Sequence, residues 1–408
     1  MKSVLGITCL LALSVVIATV LGCGEDIVPI TAGPGETPAT LEGRIERNNE
    51  FAFKLYRELG SSEDNLIISP HSIVTAFGMA YAGARGTTEQ QISNVLCFNY
   101  PQAGFHSALR QLNNRLLSLE GLEFNIANGC WGRDDMTYLS SFLDTLSVNY
   151  GADIENMDFV NHPEESLEAI NQWAEDQTRG LVSGLLPPGS IDALTYLVLA
   201  NAVYFSAEWL YKFDPEYTDD RSFTRLDGSK ITVPMMYGEA GFPYYEGNGY
   251  RAIEFFYKGE ATSMVVILPD EGQFATIEDS FNVDMLDTVV DGLEMTVLKP
   301  RFPKFSFFSD FDLVSCLKAM GMKDAFAPGA DFSGMDGTDD GTPWISAVAH
   351  KAFISVDEYG TLAAAGTGMI FSVGMFDSFD AVRPFIFVIR DIETGTILFL
   401  GRVLDPTA

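Results

Sequence analysis

Helical patterns fill the first half of the chain and strand patterns fill the second, without regular alternation between them. Apolar residues recur at helical spacing over residues 45–59, and further helices are predicted at 72–84 and 166–178. Stretches rich in β-branched and aromatic residues predict strands at 195–205, 261–268 and 381–403. Because helices and strands do not alternate, the order excludes a regular βαβ architecture and predicts the α+β class.

One large domain is predicted for most of the chain. Residues 44–405 contain no linker and no break in composition. The sequence of 408 residues is 47% hydrophobic, which is enough to build a large core. Residues 23–43 combine prolines, glycines and acids with little apolar periodicity, so we interpret them as a flexible acidic linker.

The N-terminus has the pattern of an export signal. Lys2 precedes an apolar run from Val4 to Leu21, and Gly22-Cys23 follows that run. We interpret residues 1–22 as a signal peptide of the lipoprotein type and Cys23 as the lipid anchor, which predicts an extracellular or cell-surface protein. Two alternatives stay open, namely ordinary signal cleavage without a lipid and an uncleaved anchor about as long as a short membrane span.

Net charge and cysteine spacing exclude several classes of partner. Asp and Glu number 56 against 25 Lys and Arg, a net charge of −31 that repels phosphate backbones and anionic lipid. We therefore expect no nucleic-acid partner and no membrane contact except through a lipid on Cys23. Beyond the signal segment, Cys97, Cys130 and Cys316 are widely spaced without a CxxC motif, which predicts buried free thiols rather than disulfides or a metal site.

Enzyme motifs are missing from the sequence. It contains no HExxH, no GxGxxG after a strand, no Walker loop and no GxSxG elbow. The four histidines are scattered along the chain at His71, His106, His162 and His350. A catalytic triad depends on spatial rather than sequential proximity, yet no residue is indicated as a nucleophile. An extracellular hydrolase is therefore disfavoured, and we expect neither catalytic residues nor a cofactor.

The segment from Val356 to Phe376 is the most informative stretch for function. After Asp357 and Glu358 it contains no charged residue, and in an extended conformation one face would carry the small residues of 361, 363, 365 and 367. Its first part, from Val356 to Gly368, contains three glycines and three alanines, which weaken its strand propensity, so a flexible linker is one interpretation. The other is a segment that is suited to move between an exposed loop and a buried strand.

Several motifs resemble those of the serpin family of serine protease inhibitors, in its bacterial, exported form. Residues 345–353, with the segment that follows them, are similar to that family's strand and hinge. Further similar motifs occur in the family's order and span the predicted domain: 65–73, 83–88, 170–173, 178–180, 199–205 with Trp209, 383–391 and 394–402. The resemblance implies three β-sheets with surrounding helices and an exposed reactive-centre loop.

The resemblance also implies a mechanism. A serine-type protease would cleave the loop, and the freed loop would insert into the central sheet and trap the covalent acyl-enzyme, which is suicide-substrate inhibition. The chain would then be an inhibitor rather than an enzyme, and a monomer. The alternative within the family is a non-inhibitory serpin that acts as a binding or scaffold module.

Site residues carry over from the family by position. The hinge would consist of Glu358, Gly360, Thr361, Ala363, Ala364 and Ala365, and the sheet-opening cluster of Ser69, Ser72, Asn201, His350 and Trp209. His350 would be a hydrogen-bonded gate and not a catalyst. Two glycines, Gly366 and Gly368, depart from the hinge pattern and could slow insertion. Residues 101–123 contain only Arg110 and Arg115 as basic residues, so no heparin-like cofactor is expected.

The family's usual spacing places the reactive bond about sixteen residues after Glu358, at Gly374–Met375, with Met375–Phe376 as the main rival and Val373–Gly374 as a weaker one. No lysine or arginine occurs between Lys351 and Arg383, and Pro384 blocks cleavage after Arg383. A trypsin-like pocket would find no cation to pair with its buried acid. Elastase-, chymotrypsin- or subtilisin-like proteases are therefore the expected partners.

Overall fold

The computed structural model describes residues 41–60, 64–98, 101–119, 122–338, 343–361 and 377–408. Several predicted features lie outside these ranges: the signal peptide, most of the linker, the lipid anchor Cys23, the later hinge residues Ala363, Ala364 and Ala365, and the reactive-bond residues Gly374, Met375 and Phe376. Within the described ranges, no helix is long and apolar enough to cross a membrane.

Helices occupy mainly the first half of the described chain. They are α1 Leu41–Leu59, α2 Pro70–Gly83, α3 Gly86–Val95, α4 Gln102–Leu117, α5 Ser140–Tyr150, α6 Pro163–Gln177, α7 Phe274–Ser280, α8 Val283–Asp291, α9 Leu313–Ala319 and α10 Ser333–Asp336. Both α2 and α6 begin a few residues before their predicted starts, because Pro70 and Pro163 stand near their first positions, where a missing amide hydrogen costs nothing.

Strands dominate the second half. They are β1 Leu66–Ile68, β2 Leu122–Arg133, β3 Ile154–Met157, β4 Leu197–Glu208, β5 Asp219–Thr224, β6 Lys230–Tyr237, β7 Ala240–Gly247, β8 Tyr250–Phe256, β9 Thr262–Pro269, β10 Glu294–Pro303, β11 Phe305–Asp310, β12 Ile345–Asp357, β13 Gly360–Thr361, β14 Asp377–Asp380, β15 Phe385–Asp391 and β16 Ile397–Val403. The α+β prediction is confirmed.

Hydrogen-bonded ladders join the described strands into a ten-stranded and a six-stranded sheet. The larger one has the order β1-β16-β15-β9-β8-β7-β10-β6-β5, with β14 beside β10. Strand β10 pairs with β7 over Glu294–Leu298 and with β6 over Arg301–Pro303. The ten-stranded sheet therefore consists of two parts that share this one strand. The six-stranded sheet has the order β11-β12-β13-β4-β2-β3. This sheet and the two parts of the larger sheet correspond to the three implied sheets.

Helix α2 is buried along its whole length between the two sheets. Every residue from Pro70 to Gly83 is buried, and the helix contacts β2 and β4 of the six-stranded sheet as well as β16 of the larger one. Such a helix is stable only inside a core, since it has no polar face to turn toward water. This position places Ser72 against the face of the six-stranded sheet that α2 covers.

The three cysteines among the described residues are free thiols. Cys97 and Cys130 are buried and Cys316 is half-buried. Burial raises the pKa of Cys130 to about 12, so this thiol stays protonated and unreactive at neutral pH. Among the described residues there is no group of three or more His, Cys, Asp or Glu side chains placed to hold a metal ion.

Candidate functional site at the opening of the six-stranded sheet

Strands β4 and β12 run side by side and then separate. Their parallel ladder extends from Leu197 opposite Ile345 to Val203 opposite Ala352. Beyond that point the two-residue strand β13 lies between them and pairs antiparallel with both. The separated ends of β4 and β12 therefore form an opening that already holds the beginning of a further strand.

Gly360 is the residue that allows β13 to lie so close to β4. A Cβ atom at this position would lie 2.1 Å from the carbonyl oxygen of Ala207, a distance that no side chain tolerates. Gly360 pairs with Glu208 and with Asp357, and Thr361 pairs with Ala207 and with Val356. The predicted hinge glycine is thus required by a close backbone approach.

Thr361 points into the interior and is held by an aromatic pair. It is 1% exposed, and its hydroxyl lies 2.7 Å from the hydroxyl of Tyr257. Tyr257 stacks on Trp209 with ring centroids 4.7 Å apart. Trp209 in turn donates from Nε1 to the carbonyl of Asp357 over 2.9 Å and from its backbone nitrogen to the carbonyl of Tyr359 over 2.8 Å. Trp209 therefore fixes the turn between β12 and β13.

Glu358 anchors the same turn from the other side. Lys304 Nζ and Thr218 Oγ1 donate to its carboxylate over 2.7 and 2.8 Å, and the Phe213 backbone nitrogen donates to its carbonyl over 2.9 Å. Burial opposes ionisation of this carboxyl, yet the hydrogen bonds from Lys304, the backbone and Thr218 hold its pKa below the usual value. Glu358 therefore stays ionised and tethered at neutral pH.

A buried polar cluster bridges β4, β12, β2 and α2 below the opening. Asn201 Oδ1 accepts from Ser72 Oγ over 2.6 Å, and Asn201 Nδ2 donates to Asn128 Oδ1 over 2.7 Å. His350 Nδ1 lies 2.9 Å from the same Asn201 Oδ1, and because an amide oxygen only accepts, Nδ1 carries the proton. The Asn201–His350 contact joins two side chains across the boundary between β4 and β12.

His350 is a neutral imidazole in this cluster. Burial lowers its pKa to about 3, and its Nε2 atom has no hydrogen-bond partner in the described part of the chain. A proton on Nε2 would place an unpaired charge in the core, which explains the direction of the shift. The geometry suits a hydrogen-bonding role, in which the ring of His350 is held by Asn201.

The structure brings some of the predicted cluster together and leaves one residue apart. Ser72, Asn201 and His350 contact one another, and Trp209 lies at the opening. Ser69 precedes the first residue of α2, and its hydroxyl donates instead to the carbonyl of Leu398 in β16 over 2.9 Å. Ser69 therefore fastens α2 to the larger sheet and makes no direct bond to Asn201.

Sequence reasoning missed four residues of this site: Asn128, Thr218, Tyr257 and Lys304. Asn128 gave a usable signal, because an amide between Ala127 and Gly129 within an apolar strand predicts a buried hydrogen bond. The other three gave none, since each meets the hinge through a contact between distant parts of the chain.

Comparisons with known proteins agree with this geometry. A family model described as "Serpin (serine protease inhibitor)" matches residues 46–406. An uncharacterized serpin-like protein of Thermococcus kodakarensis is 36% identical over 403 residues, which cover 93% of this chain and 92% of the relative. The leukocyte elastase inhibitor of Sus scrofa is 37% identical over 382 residues, 90% of this chain and 100% of the relative. The crystal structure of uncleaved ovalbumin matches with a TM-score of 0.82 at 26% identity, covering 90% and 100% of the two chains. The implied fold is confirmed.

Proposed function

Because the chain belongs to the serpin family, whose members are generally protease inhibitors rather than enzymes, we propose that it is a suicide-substrate inhibitor of serine-type endopeptidases. One observation supports this most strongly: β13 already lies between β4 and β12 as the first two residues of an antiparallel strand. The cleaved loop would continue this strand through the sheet.

The covalent step is acyl transfer to the protease. The protease serine attacks the carbonyl carbon of residue 374, an ester forms, and the amine of residue 375 takes up a proton and leaves as a new amino terminus. The loop is then free at one end. If it inserts before water hydrolyses the ester, the protease is carried along and its active site is distorted.

Insertion is favourable because it improves the pairing of the sheet. The rungs that now join β4 directly to β12 are parallel, whereas the inserted strand would pair antiparallel with both neighbours, as β13 does. Antiparallel pairs are slightly more stable per residue, and one ladder is replaced by two. Within the described ranges no ladder on this side of β4 covers the stretch between Val203 and Ala207, and its backbone groups would gain partners as well.

The length of the loop fits the length of the opening. Thr361 lies opposite Ala207, so a strand continued in this register would bring residue 371 opposite Leu197 and residue 372 opposite Tyr196. Insertion would thus consume the loop to within a few residues of Gly374. This agreement supports a scissile bond at Gly374–Met375. A scissile bond one residue later, at Met375–Phe376, would fit the length of the opening equally well.

The expected targets have apolar specificity pockets. The relative from Sus scrofa is named for leukocyte elastase. We expect SDS-stable complexes with elastase-, chymotrypsin- or subtilisin-like enzymes and none with trypsin, because the segment from 352 to 382 contains no lysine or arginine. Gel analysis of a panel of proteases identifies the targets that form stable complexes. Mass spectrometry of the released C-terminal fragment identifies the scissile bond.

The variant Gly374→Arg is the matched test of this assignment, since it offers trypsin a cation at the proposed bond. It should be recognised by trypsin while the wild type is not. A fragment that begins outside residues 374–377, or efficient trapping of trypsin by the wild type, would contradict the assignment.

We further propose that the protein is exported and attached to the cell surface through a lipid on Cys23. The pattern that supports this is the apolar run that ends in Gly22-Cys23, followed by the acidic linker. Cells expressing the wild type should incorporate a fatty-acid analogue into the protein, and Cys23→Ala should remove the label. Equal labelling of both proteins would exclude the lipid anchor and leave ordinary secretion.

A further inference from the structure

At the end of the β4–β12 boundary that lies farthest from β13, side-chain contacts accompany an irregular ladder. The register shifts between Ile345 and Ala347, which takes Ser346 out of the ladder. In its place, the backbone nitrogen of Tyr196 donates to Ser346 Oγ over 3.0 Å. At this end the two strands are therefore joined by the rung between Leu197 and Ile345 and by a side-chain bond that can open without loss of a ladder rung.

Aromatic rings reinforce this closure. The rings of Tyr196 and Trp344, which precede β4 and β12, have centroids 4.4 Å apart at an interplanar angle of 53°. The guanidinium of Arg133 lies 4.0 Å from the centroid of the Tyr196 ring, and Arg133 also pairs with Asp135 over 2.6 Å. We call Arg133, Tyr196, Trp344 and Ser346 the foot clasp.

The foot clasp lies across the path of the loop. In the register of β13, an inserting strand first replaces the rungs from Val203 down to Leu197 and then meets Tyr196 opposite residue 372, two residues before Gly374. We propose that the foot clasp controls the last stage of insertion, with Tyr196 and Trp344 as the residues that set its rate. This inference rests on the proposed inhibitory function.

The clasp affects two competing outcomes. While it is closed, it holds β4 and β12 together and slows spontaneous insertion of an uncleaved loop. After cleavage it also delays the final residues of the loop, and the delay lengthens the time in which water can hydrolyse the acyl-enzyme. Loss of one aromatic pair changes a rate by roughly twofold to tenfold. Because an inserting strand would meet the clasp only at its final residues, removal of the clasp should accelerate only the last stage of insertion.

Two synthetic peptides separate this stage from the earlier ones. A peptide with the sequence of residues 362–372 continues β13 and reaches Tyr196 in the same register, whereas one with residues 362–368 ends opposite Ala200 and never meets the clasp. Uptake of each peptide by the uncleaved protein is followed on native gels and by the gain in heat resistance. Trp344→Ala and Tyr196→Ala should take up the longer peptide about two to ten times faster than the wild type, with unchanged uptake of the shorter peptide.

Two further variants control for general loosening of the sheet. Trp344→Phe keeps a ring against Tyr196 and should restore the slow uptake. Phe308→Ala removes a ring that packs 4.6 Å from Phe353, but this pair joins β11 to β12 and does not cross the boundary with β4, so uptake should match the wild type.

The results distinguish the two proposals. Equal uptake of the longer peptide by the wild type and both alanine variants would overturn the clasp alone, and so would equal acceleration of both peptides or acceleration by Phe308→Ala. A wild type that takes up neither peptide and gains no heat resistance when its loop is cut would overturn the insertion mechanism, and the clasp with it.

Discussion

Replacing Thr361 with arginine is expected to turn the protein from an inhibitor into a substrate. The Thr361 side chain is 1% exposed and faces Tyr257 and the stacked Trp209, so an arginine there would bury a charge without a partner. Such a charge costs several kcal/mol, so the arginine would oppose the placement of β13 in the sheet and the insertion of the residues that follow it. The loop should still be cleaved, while the SDS-stable complex is lost and the number of inhibitor molecules consumed per protease rises about tenfold or more.

Tyr359→Arg is the matched control for Thr361→Arg. It adds the same charge two residues earlier, at a half-exposed side chain whose carbonyl, and not its ring, bonds to Trp209. This variant should keep forming complexes, and Thr361→Ser should do so as well, because the hydroxyl toward Tyr257 is retained. Undiminished trapping by Thr361→Arg would mean that the loop does not enter the sheet through β13.

Local patterns predicted the elements that depend on local interactions. The helices expected at 45–59, 72–84 and 166–178 are present, displaced by a few residues at their starts. The strand signal over 381–403 corresponds to two antiparallel strands, β15 and β16, joined by a turn at Thr394 and Gly395. The composition pattern did not divide this run, whereas the family resemblance gave 383–391 and 394–402 as separate motifs; the Asp391 carboxylate accepts from the Thr394 backbone nitrogen in the turn.

In the candidate site, too, local motifs predicted some residues, whereas others depend on contacts between distant parts of the chain. The motifs indicated Glu358, Thr361, Asn201 and His350, which lie within runs that resemble the family's own. They could not indicate Tyr257, which meets Thr361 across 104 residues of chain, or Lys304, which meets Glu358 across 54. Nor did spacing reveal that β13 already lies inside the sheet, since that depends on the close approach of Gly360 to Ala207.

Replacing Asn201 with alanine is expected to cause the largest loss of stability. Its buried amide contacts the buried side chains of Ser72 and His350 and the half-buried Asn128, and each partner would be left without that hydrogen bond. A buried polar group left unsatisfied costs about 1–3 kcal/mol, so the free energy of unfolding should fall by about 3 kcal/mol or more. Because the bond to His350 spans the boundary between β4 and β12, heating should also convert the uncleaved variant more readily to a heat-resistant, inserted form.

Asn65→Ala controls for the loss of a hydrogen-bonded amide as such, at a half-buried position. Asn65 also makes three hydrogen bonds, to the Asp405 carbonyl and from the backbone nitrogens of Leu404 and Asp405, but it joins the chain before β1 to the C-terminal segment, away from the boundary between β4 and β12. Denaturant unfolding of uncleaved and loop-cleaved protein compares the two variants. Asn65→Ala should destabilise both forms by similar amounts, whereas Asn201→Ala should destabilise the uncleaved form more, because only there are β4 and β12 direct neighbours across Asn201 and His350. Equal effects of Asn201→Ala on both forms would show that the cluster supports the core without governing the opening of the sheet.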